Sequence, residues 1–276
     1  MPAEDLIRPD AAAARRAGDP VMFSWYREQL REYGAPTATR MLVRAARSLA
    51  RARLANRLLP PRVACPCCGW EGRRFYDYVE AGYTARDEAC PRCDSHARHR
   101  SLYLWLRDEF RVKERAGSAL VCAPERALAA LWDGARGLEV CRVDVSPARG
   151  VDVLADLQRL PFGDASFDIV WCHHVLEQVE DDGAALAELR RVLKPSGAFV
   201  VSAGMSGEAR TREFGFSDRN LSGNRRQYGQ DFPARLVGAG FEVEPIKHHL
   251  AEQDLRRYGV RAFDRAYACS LPRNFS

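Results

Sequence analysis

Two closely spaced cysteine pairs are the residues best suited to bind a metal. Cys65 and Cys68 form one C-x2-C pair, and Cys90 and Cys93 form another. Two such pairs can present four thiolates tetrahedrally, and closed thiolate coordination favours a structural zinc ion. Such a short segment has little apolar core, so the metal would supply much of its folding free energy. Cys67 could replace Cys65 or Cys68 only with poorer spacing.

A basic triplet, Arg98, His99 and Arg100, directly follows the second cysteine pair and opens a predicted helix, His96–Arg115. Because the metal would hold this triplet rigidly, we expect Arg98 or Arg100 to position a group at the site. Replacing either arginine should then spare stability. His96 and His99 are substitute metal ligands, although the four cysteines already complete the set.

Composition and chain ends indicate reduced thiols. The chain has 276 residues, nine cysteines and a net charge of +5. Its first residues, Met1–Asp5, include two acids where a secretory signal would be basic and then apolar. The longest apolar stretches, such as Ala198–Ala203, are far shorter than the roughly 20 residues of a membrane span. We therefore expect a cytoplasmic protein with no membrane span and without a disulfide framework.

An arginine-rich stretch precedes the cysteines. Tyr33–Trp70 contains seven arginines and no Asp or Glu. Apolar residues at helical spacing predict a helix over Ala38–Leu59, ended by Pro60-Pro61, and a second helix is predicted over Val21–Tyr33. The basic face is either a solvated helix surface or a surface for an acidic partner; a nucleic acid is possible but not favoured, and a membrane-surface helix is the third alternative.

Past Gly117, strand-like and helix-like stretches alternate. The helix-like stretches are Glu125–Trp132 and Gly183–Leu193, the second capped by Asp182 and stopped by Lys194–Gly197. Such alternation predicts a parallel sheet covered on both faces, with ligands at the carboxyl ends of the strands. The β-rich stretches are Ala119–Cys122, Leu138–Val145, Val151–Leu154, Phe167–Cys172 and Ala198–Ala203.

Three of these strand ends carry residues suited to a nucleotide-like ligand. The first is Ala123-Pro124-Glu125, and Asp144 follows about twenty residues later, a separation suited to an acid that binds ribose hydroxyls. The third strand end carries Asp156.

In these motifs the chain resembles the class I S-adenosylmethionine-dependent methyltransferases, from about Ala119 to Val243. The resemblance rests on Asp156–Asp168 (D-L-x-x-L-P-F-x-D-x-S-F-D), His174–Glu177 (H-V-L-E) and Leu189–Gly197 (L-R-R-V-L-K-P-S-G). It implies an α/β fold with a Rossmann-like, doubly wound, seven-stranded sheet. It also implies S-adenosylmethionine as the cofactor.

The resemblance also assigns roles to residues. Asp144 would bind the cofactor ribose, and Asp156 would hold the adenine amino group, with the Leu157 backbone amide facing the ring. The full set of expected cofactor-binding residues is Ala123, Pro124, Glu125, Asp144, Val145, Asp156, Leu157 and His173.

The chain departs from the superfamily at two points. The usual glycine-rich turn after the first strand is replaced by Ala123–Glu125, and Gln178 stands where the V-L-E-H-V motif has histidine. A narrower bacterial group is similar here, with a C-P-x-C-x-S-x-x-R-H-R zinc segment, an A-P-E first motif and a late R-x-Y-G, matched by Cys90–Arg100, Ala123–Glu125 and Arg226–Gly229. The substrates of that group are mostly undefined, so the resemblance implies cofactor and reaction but not the acceptor.

Methyl transfer requires the acceptor, the methyl carbon and sulfur to be held in line, while a general base is needed only for some oxygen or nitrogen acceptors. His174 and Tyr228 are the candidate catalytic residues, with Glu177 and Asp231 as substitutes. Arg226, Tyr228 and Gln178 are the candidate substrate-binding residues.

The polar stretch Gly204–Gly223 is either a lid over the site or a solvated loop. Arginines in and after this stretch would suit an anionic acceptor. They are Arg210, Arg212, Arg219, Arg225 and Arg226.

These observations predict three parts: a helical, arginine-rich segment over residues 1–60, a zinc module with a linking helix over 61–116, and a methyltransferase domain over 117–276. The favoured function is methyl transfer to a small-molecule or saccharide-like acceptor. One alternative is an RNA or protein methyltransferase that docks through the zinc module. Another is a non-methylating zinc-ribbon protein, or an enzyme that uses the cofactor for other chemistry.

Overall fold

The computed structural model describes residues 20–80, 83–147, 150–218, 223–260 and 263–272. The chain forms two compact units. The first comprises Met1–Leu106, Arg126–Leu128 and His249–Ala262, and the second comprises Arg107–Glu125, Ala129–His248 and Phe263–Ser276. The helical segment and the cysteine module therefore belong to one unit, which also contains a late stretch that the sequence assigns to the methyltransferase domain.

The first unit begins with helix α1, Pro20–Leu58, which has a kink at Gly34 (φ 74°, ψ 166°). Because a positive φ is costly for residues with a side chain, glycine suits the junction between the two predicted helices. Met41 and Ala52 are buried on one side of α1. Eight of its arginines are exposed: Arg27, Arg31, Arg40, Arg44, Arg47, Arg51, Arg53 and Arg57.

Short strands follow α1. Strand β1 (Val63–Ala64) pairs antiparallel with β2 (Glu71–Gly72), and β3 (Tyr76–Val79) pairs antiparallel with β4 (Thr84–Ala89). Helix α2, Ala97–Asp108, comes next. The predicted helix His96–Arg115 is thus too long, because Arg111 adopts a left-handed conformation (φ 54°) before a separate 3-10 turn at Val112–Glu114.

The remaining elements alternate as the sequence predicts. In chain order they are β5 (Gly117–Cys122), α3 (Ala129–Asp133), β6 (Leu138–Asp144), β7 (Val153–Leu154), β8 (Phe167–His173), α4 (Asp182–Val192), β9 (Leu193–Ser202), β10 (Arg212–Asp218), β11 (Asn224–Gln227), α5 (Phe232–Gly238), β12 (Glu242–Lys247), α6 (Glu252–Tyr258) and β13 (Phe263–Ser270).

Seven strands form one sheet in the order β12-β13-β9-β8-β5-β6-β7. Strands β5 to β9 run parallel, whereas β13 is antiparallel to both β9 and β12. The strand order reverses beside β5, which is where an open α/β sheet binds its ligand. The predicted α/β, Rossmann-like fold with a seven-stranded methyltransferase-type sheet is therefore confirmed.

Apolar residues of the central strands build the core of this unit. Leu120 on β5, Val170 on β8 and Phe199 on β9 are fully buried. Leu186 and Leu189 of α4 belong to the same buried cluster. The runs of apolar residues in β5, β8 and β9 are typical of strands buried on both faces.

Some predicted boundaries are wrong. Asp181, not Asp182, caps α4, because its side chain accepts a hydrogen bond from the Ala184 amide. Helix α4 ends at Val192, one residue before its predicted end, and Lys194–Gly197 lies inside β9. The helix predicted over Glu125–Trp132 is only the short α3.

The expected lid, Gly204–Gly223, contains strand β10, which pairs antiparallel with β11. Part of this stretch is therefore a β-hairpin rather than an irregular loop. In the part of the chain that the structure describes, no helix is both long and apolar enough to span a membrane.

Candidate functional site

The carboxyl ends of the parallel strands bring the predicted site residues to one edge of the sheet. Ala123 follows β5, Asp144 ends β6, and Ala155 follows β7. The Ala123 amide donates to the Val143 carbonyl at 2.8 Å, and the Ala155 amide donates to the Asp144 carbonyl at 3.0 Å. These hydrogen bonds continue the sheet into the loops and fix the backbone around the site.

Ala123 adopts a left-handed conformation, with φ 48°. This conformation costs an L-residue about 1 to 2 kcal/mol and is usually taken by glycine. The backbone at Ala123 therefore has a conformation that glycine usually takes, although the residue here is alanine. Pro124 and Glu125 follow as half-buried residues.

Asp144 keeps acceptor capacity for a ligand. Its Oδ1 accepts a hydrogen bond from the Ser146 amide at 2.9 Å. No described residue donates to its Oδ2, and the carboxylate is half-buried. Val145 beside it is 70% exposed. A fixed carboxylate with a free oxygen suits the predicted binding of ribose hydroxyls.

Asp156 and Leu157 follow β7. The exposed Asp156 carboxylate accepts from the Gln158 amide at 2.9 Å and from the Gln158 side chain at 3.0 and 3.1 Å. Leu157 is 4% exposed and packs in the core of the sheet. The core thus fixes Leu157 while Asp156 stays accessible at the edge, as binding of an adenine amino group requires.

His173 is the buried last residue of β8. Its Nδ1 forms a hydrogen bond with the Ser202 hydroxyl at the end of β9. Its Nε2 lies 3.5 Å from Glu125 Oε2. His173 therefore ties three strand ends together, which is a structural role, while its contact with a cofactor stays a prediction.

His174 is oriented by a buried carboxylate. It has φ 53°, a left-handed conformation, and its Nδ1 lies 2.7 Å from Glu177 Oε1. The same oxygen accepts the Gly204 amide at 2.9 Å, and Glu177 is 1% exposed. Because the carboxylate favours a proton on Nδ1, Nε2 is left as the acceptor of the ring.

Arg226 is buried, and its guanidinium is engaged within the chain. It is 4% exposed, and its guanidinium donates to three backbone carbonyls at 2.7 Å and to Glu213 at 3.0 Å. The carbonyls belong to Leu176, Val179 and Glu180. Its predicted role as a substrate-binding residue is wrong, because its donors hold the loop between β8 and α4.

Tyr228 is fully buried, and its hydroxyl donates to Asp182 Oδ2 at 2.7 Å. Burial and the Asp182 carboxylate raise the pKa of this phenol. These contacts contradict the predicted catalytic and substrate-binding roles of Tyr228. Asp231, the substitute base, instead accepts from the amide and hydroxyl of Thr211 at 2.8 and 2.7 Å.

The other predicted acceptor contacts stay predictions. Gln178 is exposed, as are Arg210 and Arg212. Arg225 lies 3.4 Å from Glu180. Arg219 lies outside the described residues.

The four predicted metal ligands meet in the first unit. The sulfurs of Cys65, Cys68, Cys90 and Cys93 all lie within 4.8 Å of one another. The Cys65–Cys93 and Cys68–Cys90 sulfur distances are 3.6 and 3.7 Å. A tetrahedron with Zn–S bonds of about 2.3 Å has edges of about 3.8 Å, so the cluster fits zinc.

Three neighbouring side chains lie near this cluster but are not part of the cysteine quartet. The Ser95 hydroxyl lies 3.1 Å from the Cys65 sulfur and 3.3 Å from the Cys93 sulfur. Cys67 is outside the quartet. His96 faces Glu88 instead, at 3.5 Å, and burial is the main cause that lowers its pKa to about 4.

Arg100 is fully buried in the first unit. It donates to the carbonyls of Glu88, Ser95, Tyr258 and Gly259 at 2.6 to 3.1 Å. Its guanidinium lies 3.8 Å from the centre of the Phe75 ring. These contacts argue against the expectation that Arg100→Ala spares stability.

Arg98 is half-buried, and no described residue accepts a hydrogen bond from its Nε. A positioning role for Arg98 stays a prediction. Of the basic residues after the second cysteine pair, Arg100 is thus the one whose hydrogen bonds hold parts of the first unit together.

Comparison with known families finds one match, in which residues 122–201 correspond to the family described as a methyltransferase domain. A demethylmenaquinone methyltransferase from Mycobacterium sp. (strain KMS) is 37% identical over 92 residues, which are 33% of this chain and 40% of the relative. A malonyl-[acyl-carrier protein] O-methyltransferase from Methylovorus sp. (strain MP688) is 42% identical over 50 residues, 18% of this chain and 17% of that one. The chain thus spans less than half the length of these relatives.

Solved structures of low similarity include an S-adenosylmethionine dependent methyltransferase from Mesorhizobium loti, with 17% identity and a TM-score of 0.43 over 60% of this chain and 96% of that one. Another is the Burkholderia thailandensis 1,6-didemethyltoxoflavin-N1-methyltransferase, with 20% identity and a TM-score of 0.41 over 61% and 73%. The family match covers the strand ends Ala123, Asp144, Asp156 and His174. Residues 122–201 are therefore similar to a methyltransferase domain, which supports the predicted enzyme class.

Proposed function

We propose that this protein is an S-adenosylmethionine-dependent methyltransferase that acts on a small-molecule or saccharide-like acceptor. The row of site residues at the carboxyl ends of β5 to β8, within the stretch that matches the methyltransferase domain, carries the proposal. Relatives named for demethylmenaquinone, and a structure named for didemethyltoxoflavin, support a small-molecule acceptor.

Three residues would hold the cofactor. Asp144 accepts the ribose hydroxyls through its unused oxygen, and Asp156 accepts the adenine amino group. Ala123 supplies the tight turn at the methionine end, since its backbone already has the required left-handed conformation. The bound cofactor supplies an electrophilic methyl group on a sulfonium, so the protein needs no nucleophile of its own.

His174 would take the proton of an acceptor hydroxyl or amine. Glu177 holds its Nδ1 at 2.7 Å and is itself fixed by the Gly204 amide. A base held by a buried carboxylate keeps one orientation, which lowers the cost of aligning it with the acceptor. The side chain is 32% exposed, so a ligand at the edge of the sheet can reach it.

Zinc would have a structural role. Cys65, Cys68, Cys90 and Cys93 fill four tetrahedral positions and leave none open for water or substrate. The metal would therefore hold the first unit together without taking part in methyl transfer.

The cofactor assignment is tested by Asp144→Ala. Because charge-assisted hydrogen bonds to the ribose are lost, S-adenosylmethionine should bind about 1 to 3 kcal/mol more weakly in calorimetry. Glu139→Ala is the matched control, since Glu139 is exposed at the opposite end of the same strand. Equal affinities of Asp144→Ala and the wild type would show that the ribose acid is misassigned.

The acceptor class is tested by transfer of a labelled methyl group from the cofactor to cell extract divided into metabolites, RNA and protein. Label in the metabolite fraction is expected. His174→Ala should lower that transfer by about 10²- to 10⁴-fold while cofactor affinity is unchanged. Wild-type rates in His174→Ala would exclude its role as the base.

A second candidate function is methylation of RNA or protein. The exposed arginines of α1 favour it, because they form a basic surface with no acid between Tyr33 and Trp70. Label in the RNA or protein fraction would support this candidate and contradict a small-molecule acceptor.

A further inference from the structure

The first unit contains an open cleft of about 700 Å³, distinct from the strand-end site and from the cysteine cluster. Its volume is within the usual range of ligand sites, about 300 to 1,000 Å³. Five arginines and two acids line it, which leaves a strong positive excess. The arginines are Arg62, Arg73, Arg74, Arg256 and Arg257.

Arg62 and Arg73 lie next to each other on neighbouring chain segments. Arg62 precedes Val63 and Arg73 follows Gly72, and Val63 and Gly72 are paired in the β1–β2 ladder. Among the described residues, neither guanidinium has a hydrogen bond or an ion pair with an acid. Like charges held side by side on paired strands are destabilising, so an anion between them would relieve the repulsion.

The backbone holds both arginines in place. The Arg62 amide donates to the Gly72 carbonyl at 2.7 Å, and the Arg73 amide donates to Asn56 Oδ1 of α1 at 2.8 Å. Asn56 also accepts the Arg74 amide at 2.9 Å. Hydrogen bonds thus fix the backbone that carries the two guanidinium groups, so less backbone conformational entropy is lost when they bind a ligand.

The other arginines of the cleft differ in how firmly they are paired. Arg257 pairs with Glu71 at 2.8 Å, but both side chains are more than half exposed. Exposed pairs of this kind contribute about 0 to 1 kcal/mol. Arg257 can therefore exchange Glu71 for a ligand at little cost, whereas Arg74 is held by Asp77 and Asp87 at 3.1 and 2.9 Å.

We propose that this cleft binds a phosphate-bearing ligand, with one phosphoryl group held between Arg62 and Arg73. Guanidinium groups bind phosphoryl oxygens in bidentate fashion, and two of them match the double charge of a terminal phosphate. Arg257 would contact a second phosphoryl group, so a diphosphate binds more tightly than a monophosphate. None of the strand-end residues lines this cleft, so its ligand would be a separate effector rather than the methyl acceptor.

The test uses the full-length, zinc-loaded protein and calorimetry with inorganic phosphate and pyrophosphate. The wild type should bind pyrophosphate at least tenfold more tightly than phosphate. Arg62→Gln and Arg73→Gln should each weaken pyrophosphate binding at least tenfold. Arg47→Gln is the matched control, because Arg47 is an exposed arginine of α1 that does not line the cleft.

Other outcomes overturn the proposal. Failure of the wild type to bind either anion would refute it, and so would an equal loss of affinity in Arg47→Gln, which would indicate unspecific attraction. Vesicles containing phosphatidic acid distinguish the source of the phosphoryl group. Vesicle binding that depends on Arg62 and Arg73 would support recognition of a lipid phosphate, and binding of pyrophosphate alone would support a soluble ligand.

Discussion

The cysteine module and the strand-end site are held by different means. The hydrophobic cluster around the cysteines has only three buried members, Cys65, Phe75 and Cys90. The strand ends rest instead on a large buried cluster that spans β5, β8, β9 and α4. A module held by a few strong bonds should fail when one bond is lost, whereas a site on a large core should lose stability in small steps.

The largest expected effect is that of Cys90→Ser, which removes one of the four sulfurs. Because zinc binding supplies folding free energy of about 10 kcal/mol or more in small zinc domains, the first unit should lose both its metal and its fold. Elemental analysis and thermal unfolding measure this.

Cys67→Ser is the control for Cys90→Ser, since Cys67 neighbours the quartet without belonging to it. It should keep one zinc per chain and an unchanged melting temperature. A Cys90→Ser protein with full zinc content and a wild-type melting curve would contradict the view that metal bonds stabilise the cysteine module whereas a hydrophobic core stabilises the strand-end site.

Arg100→Ala should destabilise the first unit by about 3 kcal/mol or more. The substitution leaves four carbonyls, one buried and three part-buried, without their donor, and each unsatisfied buried group costs about 1 to 3 kcal/mol. Denaturant unfolding measures the loss. Arg53→Ala, which removes an exposed arginine from α1, should change stability by less than about 0.5 kcal/mol. Similar unfolding curves for Arg100→Ala and Arg53→Ala would contradict a stabilising role of the Arg100 hydrogen bonds.

A smaller effect is expected for Asp168→Asn in the second unit. Asp168 Oδ2 accepts from Lys194 at 2.7 Å and from the Ser118 amide at 2.8 Å, and these bonds, that of Lys194 first, lower the pKa of the carboxyl group. The side chain is about a third exposed, so we expect a loss of only about 1 kcal/mol at pH 7.

The pH dependence of this loss has a definite sign. The lowered pKa means that the ionised carboxylate stabilises the fold above its unfolded pKa of about 3.9, and that this contribution disappears as the pH falls through the lower folded value. Wild type and Asp168→Asn should therefore converge in acid. Asp164→Asn is the control, because Asp164 is 81% exposed. If the free energies of unfolding of wild type and Asp168→Asn differed by the same amount at all pH values, the stabilisation would not depend on ionisation of Asp168.

Short sequence patterns predicted those features of the structure that depend on residues close together in the sequence. The spacing of Cys65, Cys68, Cys90 and Cys93 predicted the quartet, and the apolar runs predicted β5, β6 and β8. The acids after β6 and β7 lie at the expected strand ends because parallel strands place their carboxyl ends together.

Residue type could not predict which polar groups are already satisfied. Arg226 and Tyr228 have the chemistry of a site, but the carbonyls after β8 and the Asp182 carboxylate use their donors. Arg100 was misjudged for the same reason. The cleft was missed because Arg62 and Arg73 come together with Arg257 only through the fold, and no periodic pattern joins such distant positions.

The discontinuity of the first unit sets the order of events during synthesis. Arg100 donates to Tyr258 and Gly259, which follow it by 158 and 159 residues. The cysteine module leaves the ribosome before these partners are synthesised, so the Arg100 guanidinium can form these hydrogen bonds only after the intervening residues have emerged. We therefore expect the first unit to close only after Gly259 has emerged, and the charge of Arg100 to stay hydrated until then.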